Sequence, residues 1–329
     1  MQNYRAQAVN CYNEIMADTR FQKTPLHYVQ YVGLKLFCAL VACLPYRFAV
    51  WLAKHVTGAV RFVMPKRFTR MASDIQKAFP DKSPRWARQI AAASWRNMGV
   101  IFAEFLQLTH MSKEKFKQHC EIIGAEKLRA AEGVTGGIIH IGHFTNWEAF
   151  GLAASVYGFD KAVLAQRIDN PYVDEEINRL RNIFSGRTFY SNHQDNPFFT
   201  CMRWLKKKKF LGILFDQNTV SGEMWFSFMG RTAAFAPITA LLAIKMHVPV
   251  FPVRVERQQD GKLICRVYDP VQPPEQYSMQ NVRQFTKTLI GYYEQWMRED
   301  PAQWLWAHNR WKREAEGNQY LQQHPEERA

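Results

Sequence analysis

The chain has 329 residues, 47% hydrophobic and 14% aromatic, enough apolar material for a full core; this excludes a disordered protein and points to one large domain or a domain with an appendage. Lys and Arg number 43 against 29 acids, a formal charge of +14, so the surface favours nucleic acid, anionic lipid or an acidic protein without choosing among them. Cys11, Cys38, Cys43, Cys120, Cys201 and Cys265 are scattered with no Cys-x-x-Cys pair, which argues against a zinc ribbon or disulfide framework and fits reduced thiols in the cytosol.

Residues 1–25 read as a polar amino terminus, with Arg5, Glu14, Asp18, Arg20 and Lys23 and no signal-peptide pattern. Residues 26–70 read as membrane-anchoring or interfacial helices. Leu26 to Leu44 is 19 residues long, enough to cross a bilayer, but carries His27, Gln30 and Lys35. Beyond Pro45, Trp51 and Phe62 stand among Arg47, Lys54, Arg61, Lys66 and Arg67, the composition of a helix that lies on anionic lipid. If the first segment spans, the Lys and Arg after it predict a cytoplasmic main domain. An α/β domain is expected over residues 71–313 and a mobile polar tail over 314–329.

Ser83-Pro84 reads as a helix start, a capping hydroxyl followed by proline at the first helical position. Strands are expected at Cys120 to Ile123 and at Ile138 to Ile141, the second entered through Gly136-Gly137 and left through Gly142. His143 then occupies a turn, Thr145 or Asn146 caps, and a helix follows over Trp147 to Val156. Further strands are read at Ala162 to Ala165, Thr188 to Tyr190 and Gly212 to Phe215. Helices are read at Val173 to Ile183, Pro197 to Lys206 and Pro237 to Met246. Val248 to Glu256 and Leu263 to Tyr268 form a hairpin around Asp260-Gly261, and a last helix covers Asn281 to Met297. The alternation predicts a mixed central sheet flanked by helices on both faces. Polar clusters at His143 to Glu148, Arg167 to Asn170 and Asp216 to Asn218 follow strand ends, which parallel strands bring to one edge.

His143 with Glu148 five residues on suggests a base and its orienter, the carboxylate reaching back to an imidazole nitrogen to fix one tautomer. The spacing proves little, because chance supplies about one His-x4-acid pair in a chain with 10 His and 29 acids. Its setting between a buried strand and a capped helix is what gives it weight. No Gly-x-Ser-x-Gly elbow occurs, so direct transfer to an acceptor hydroxyl is preferred over a covalent intermediate. Arg167 and Arg181 are candidates for binding phosphate or carboxylate. A metal site built from His140, His143 and Glu148 is disfavoured, since a strand turns the two histidines to opposite faces.

Gly142-His143-Phe144-Thr145-Asn146-Trp147-Glu148, Asp216-Gln217-Asn218, Phe228-Met229-Gly230-Arg231, Pro249-Val250-Phe251-Pro252-Val253 and the carboxyl-terminal Gln303-Trp304-Leu305-Trp306-Ala307-His308-Asn309-Arg310-Trp311-Lys312 together resemble the lipid A biosynthesis acyltransferases, the lauroyl/myristoyl transferase family, over about residues 26 to 313. This resemblance implies a glycerophosphate-acyltransferase-like α/β fold, an inner-membrane location with the catalytic domain facing the cytoplasm, and no cofactor. The implied reaction moves a fatty acyl chain from an acyl carrier protein, less often coenzyme A, to a hydroxyl of an anionic phosphorylated glycolipid. His143 is then the general base supported by Glu148, and Arg167, Arg181, Asp216 and Arg231 serve the substrates, Asp216 by fixing the arginines. Rival readings are an acyltransferase acting on lysophospholipid or another phosphorylated glycolipid and a basic membrane-associated nucleic-acid-binding protein; no nucleic-acid motif supports the latter.

Overall fold

A computed structural model describes residues 22–184, 186–190, 196–219 and 223–328, so most of the expected polar amino terminus lies outside the described residues. Four helices come first. Helix α1 (Pro25–Cys43) starts at Thr24, whose hydroxyl accepts the His27 N–H, with proline in the first turn. Helices α2 (Tyr46–Val60), α3 (Pro65–Ala78) and α4 (Pro84–Thr109) follow, the last capped by Ser83 Oγ on the Trp86 N–H. Helix α1 is long and apolar enough to cross a membrane by length and composition, and it exposes Leu26, Val29, Leu36 and Leu40. It is nonetheless tied to the body: Lys35 pairs with Glu176 at 3.1 Å, and Asn170 Nδ2 donates to the His27 carbonyl at 2.9 Å. The boundary expected at residue 70 falls inside α3, whose Met71 and Ile75 are wholly buried in the main core with Trp95.

Helix α2 rests on α4 at Gly99, where a Cβ would meet Thr57 Oγ1 at 2.0 Å and the Ala53 carbonyl at 2.6 Å. Since the obstacle is partly backbone, the helices must separate to accept a methyl. Gly99→Ala is therefore expected to lower stability by about 1–3 kcal/mol despite its better helix propensity. Urea unfolding of the two proteins measures this, and an equal or higher midpoint for the variant would show that α2 does not pack there.

Helices α5 (Lys113–His119) and α6 (Ala125–Ala131) bracket strand β1 (Cys120–Ile123). The chain then alternates through β2 (Gly137–Ile141), α7 (Trp147–Val156), β3 (Lys161–Ala165), α8 (Pro171–Arg181), β4 (Arg187–Tyr190), α9 (Pro197–Leu205) and β5 (Phe210–Ile213). After a hairpin, β6 (Met224–Phe228) and β7 (Arg231–Phe235), come α10 (Ile238–Met246), β8 (Val250–Arg257), β9 (Leu263–Val267) and α11 (Met279–Glu299). Seven strands form one mixed sheet in the order β1-β9-β8-β2-β5-β3-β4, in which β8, β2, β5, β3 and β4 run parallel and β9 opposes β8. Alternate residues of β2 feed opposite cores. Ile138 faces α9, α10 and α11, while Ile139 and Ile141 face α7 and the second half of α4. The result is a sheet between two helical layers, as the alternation predicted.

Three differences from the sequence reading have local causes. Strand β5 starts two residues earlier than expected because Phe210 and Leu211, both buried, already pair with β2 and β3; the apolar run alone does not fix where a strand ends. The hairpin β6–β7 was not anticipated: it turns at Met229-Gly230, both at positive φ (52° and 74°), where methionine masks the usual Asn-Gly signal. The polar tail expected to be mobile contains a helix, α12 (Glu314–Gln323), that buries Gly317 and Leu321 against Trp225 of the hairpin.

Candidate active site

The turn after β2 is held from two sides. Asp216, three residues past the end of the neighbouring parallel strand β5, accepts the His143 backbone N–H on Oδ2 at 2.8 Å and the imidazole Nδ1–H on Oδ1 at 2.7 Å. The carboxyl-terminal segment supplies the other side. Leu305 N–H donates to the His143 carbonyl at 3.0 Å, Thr145 N–H donates to the Gln303 carbonyl at 2.9 Å, and Trp304 Nε1–H donates to Asp216 Oδ2 at 2.8 Å. Thr145, at φ 47°, is kept in a left-handed conformation that costs energy for a β-branched residue and persists only where the surroundings impose it. Asn146 caps α7 through the Ala149 N–H and donates in turn to Glu104, which is buried and ion-paired with Arg257 at 2.7 Å.

The carboxylate against the His143 imidazole is thus Asp216, where Glu148 was expected. Burial pushes the Asp216 carboxyl up, but the charge of His143 and the hydrogen bonds from His143 and Trp304 outweigh it and bring it down to about 2. An ionised Asp216 keeps the proton on Nδ1, which leaves Nε2 as the basic nitrogen. Trp147 stands edge-on to the imidazole with ring centres 4.7 Å apart.

Glu148 is gripped instead by Arg181 at the end of α8, whose Nε lies 3.0 Å from both carboxylate oxygens and whose Nη2 lies 2.5 Å from Oε1. The third nitrogen, Nη1, makes no hydrogen bond among the described residues. Lys161, 5% exposed at the start of β3, lies close to this pair; burial pulls its amine down to about 8, Glu148 working against that and Arg181 with it. No sequence signal marked Lys161, a lysine opening a strand. The Glu148, Arg181, Lys161 group and His143 all line one cavity of about 820 Å³. Its walls are mainly apolar, with Ile139, Ile141, Phe150, Val163 and Phe210 between the sheet and α7, and Gln217 and Asn218 beside His143.

Two other expected site residues stand elsewhere. Arg231 is nine-tenths buried, paired with Asp74 at 2.9 Å and Glu314 at 2.6 Å and stacked on Trp311, so it ties α3 to α12 and does not line the cavity. Arg167 is exposed, 5.0 Å over the Tyr190 ring, next to the cavity residue Gln166. Asp216 holds His143 and Trp304 rather than the expected arginines. His140 faces away from the cavity, its Nε2–H donating to the Leu289 carbonyl at 3.0 Å; burial drives it down to about 3 and so keeps it neutral. The contacts of the Trp-rich segment with His143 and Asp216 are long-range and have no local signal in the sequence.

The three clusters after β2, β3 and β5 do meet at one sheet edge, around a mainly apolar cavity with a carboxylate-held histidine in its lining. A family model for bacterial lipid A biosynthesis acyltransferases matches residues 18–313. The chain belongs to this family. Among curated proteins no match to the chain was found. As a lipid A biosynthesis acyltransferase the protein is an enzyme that acylates, and the family implies an acyl donor and a lipid acceptor.

Proposed function

We propose that the protein transfers a fatty acyl chain from an acyl carrier protein to a hydroxyl of a lipid A precursor, with His143 as general base. The observation that carries this reading is the apolar cavity beside an imidazole whose Nδ1 is held by Asp216. Lys161 and Phe210, deep in its lining, are level with Gly137, four residues or about 13 Å before the end of β2. At about 1.3 Å per methylene, set by a ~1.5 Å bond at a tetrahedral angle, that depth takes roughly ten carbons of an extended chain.

In the proposed step Nε2 of His143 takes the acceptor hydroxyl proton while its oxygen attacks the thioester carbonyl. The carbonyl oxygen gains the charge, and Arg181 Nη1, aimed by the grip of Glu148 on the other two nitrogens, stabilises it. As the tetrahedral intermediate collapses, the C–S bond breaks and the thiolate leaves with the proton from the imidazolium. Asp216 stabilises that imidazolium and holds the ring in place. Glu148 acts as a positioning residue for Arg181. The exposed apolar faces of α1 and of Phe62, Val63 and Met64 seat the protein on the bacterial inner membrane, with the catalytic domain on the cytoplasmic side among the basic residues that follow α1.

Incubation with acyl carrier proteins of defined chain lengths and a lipid A precursor, read by mass spectrometry, is expected to add one acyl mass to the precursor. Acylation of lysophospholipid with none of the precursor would replace this acceptor. Transfer from acyl-coenzyme A alone would replace the donor.

A further inference from the structure

Of the arginines expected to bind the anionic acceptor, Arg181 is paired with Glu148 and Arg231 with Asp74 and Glu314, and a second, cationic cleft lies beside the cavity. It has a volume of about 570 Å³ and lies between the start of α3 and the Ala307 to Lys312 turn. Lys66, Arg67, Arg70 and Lys312 line it together with Asn218, His308 and Asn309, and among the described residues no carboxylate does. Asn218 lines both this cleft and the cavity that contains His143, and its backbone N–H donates to His308 Nε2 at 2.9 Å. Burial, with the charges of Arg310 and His143, lowers His308 to about 4, so it accepts that bond as a neutral ring.

The four cations divide into two pairs. Arg67 donates to the Ala307 carbonyl at 3.3 Å, and Arg70 donates to the carbonyls of Ala307 at 2.6 Å and His308 at 3.3 Å, so both clamp the turn to α3. Arg70 also meets Asp74 at 3.1 Å, but Asp74 is shared with Arg231 at 2.9 Å, so its single charge does not neutralise the cleft. Lys66 and Lys312 are exposed and make no ion pair among the described residues. Converging cations of this kind, without an acid among them, suit a compact dianion that accepts several charge-assisted bonds at once.

We infer that this cleft binds a phosphate group of the acceptor glycolipid while a hydroxyl of the same molecule reaches His143. The inference rests on the acyltransferase reading above. It favours the acceptor over an acidic carrier protein because the cleft joins the cavity that contains His143 through a shared residue, Asn218.

The test uses the full-length enzyme and the double variant Lys66→Ala, Lys312→Ala, whose two side chains are exposed and make no ion pair among the described residues, so the fold is expected to be preserved. Acylation rates are compared for a phosphorylated lipid A precursor and for the same lipid after phosphatase treatment, with acceptor and donor varied in turn while the other is saturating. The wild type is expected to favour the phosphorylated acceptor at least tenfold in kcat/KM, and the variant to raise its KM about 10- to 100-fold with kcat within about twofold, consistent with one or two lost charge-assisted bonds. The preference for phosphate should collapse with it. An unchanged acceptor KM, an equal rise for the dephosphorylated lipid, or a rise confined to the KM of the carrier protein would each overturn the inference. If the wild type acylates neither lipid, the reaction assigned above fails. Calorimetric binding of the phosphorylated lipid in detergent to wild type and variant then still decides the cleft, equal affinity counting against it.

Discussion

Replacing Asp216 by Asn is expected to lower kcat by about 10³–10⁴ while leaving the fold in place, nearly as much as His143→Ala. The cause is a donor mismatch. Oδ2 of Asp216 accepts two N–H groups, from the His143 backbone and Trp304 Nε1, and Oδ1 accepts a third from the imidazole Nδ1. An asparagine has one oxygen and one NH₂ for three donors. It satisfies two of them by turning its oxygen to the backbone and the indole, and its NH₂ then faces Nδ1, which must give up its proton and become the acceptor. The imidazole is driven to the Nε2–H tautomer, and the nitrogen that should take the hydroxyl proton already holds one. Single-turnover rates and ¹⁵N chemical shifts of the ring measure both halves, and an Asn variant with full turnover and an Nδ1–H ring would remove Asp216 from the mechanism. The carboxyl, held at about 2 against its ordinary 3.8, also stabilises the wild type by about 2 kcal/mol above pH 4, a contribution lost as pH falls through 2 and absent from the variant at every pH.

Glu148→Ala is expected to cost roughly 2 kcal/mol of stability and to lower kcat by about 10²–10³. The side chains of the Glu148–Arg181 pair are 18% and 22% exposed, so the penalty is smaller than for a fully buried pair. Removing the carboxylate leaves Arg181 facing Lys161, whose amine burial already lowers to about 8, with no anion between them. Adding Arg181→Met should recover much of the stability without recovering turnover, which a merely structural role would not allow. Glu148→Gln should leave the acid limb of the pH–rate profile in place, because the imidazole contact belongs to Asp216. Displacement of that limb by Glu148→Gln but not by Asp216→Asn would restore Glu148 as the orienter.

What the sequence discloses here follows the range of the interactions. The β2 to α7 unit is legible because its signals are local: glycines before and after a β-branched run, a capping Asn146, and good helix formers behind it. The partner of His143 is not local. Asp216 stands 73 positions away, and only the parallel pairing of β2 with β5 brings it alongside. His-x4-Glu spacing misled because Trp147 occupies the side of the first helical turn that faces the imidazole, while Glu148 points to the end of α8. Arg231 carries no mark of burial in its sequence neighbourhood; its partners lie on α3 and α12. Helix α12 buries only two residues, Gly317 and Leu321, too thin an apolar stripe to distinguish from a solvated tail.

The bracing of the histidine turn by the Trp-rich segment has a consequence for the order in which the protein is made. Thr145 bonds to Gln303, 158 positions later, and Trp304 completes the shell of Asp216. On the ribosome, β2, α7 and β5 are all in place before residues 303 to 312 emerge, so the nascent chain holds its sheet while the left-handed Thr145 and the indole bond to Asp216 are still missing. The turn around His143 is therefore completed late, when the Trp-rich segment docks, and until then the nascent chain lacks the bonds from that segment that brace Thr145 and Asp216 in the finished fold.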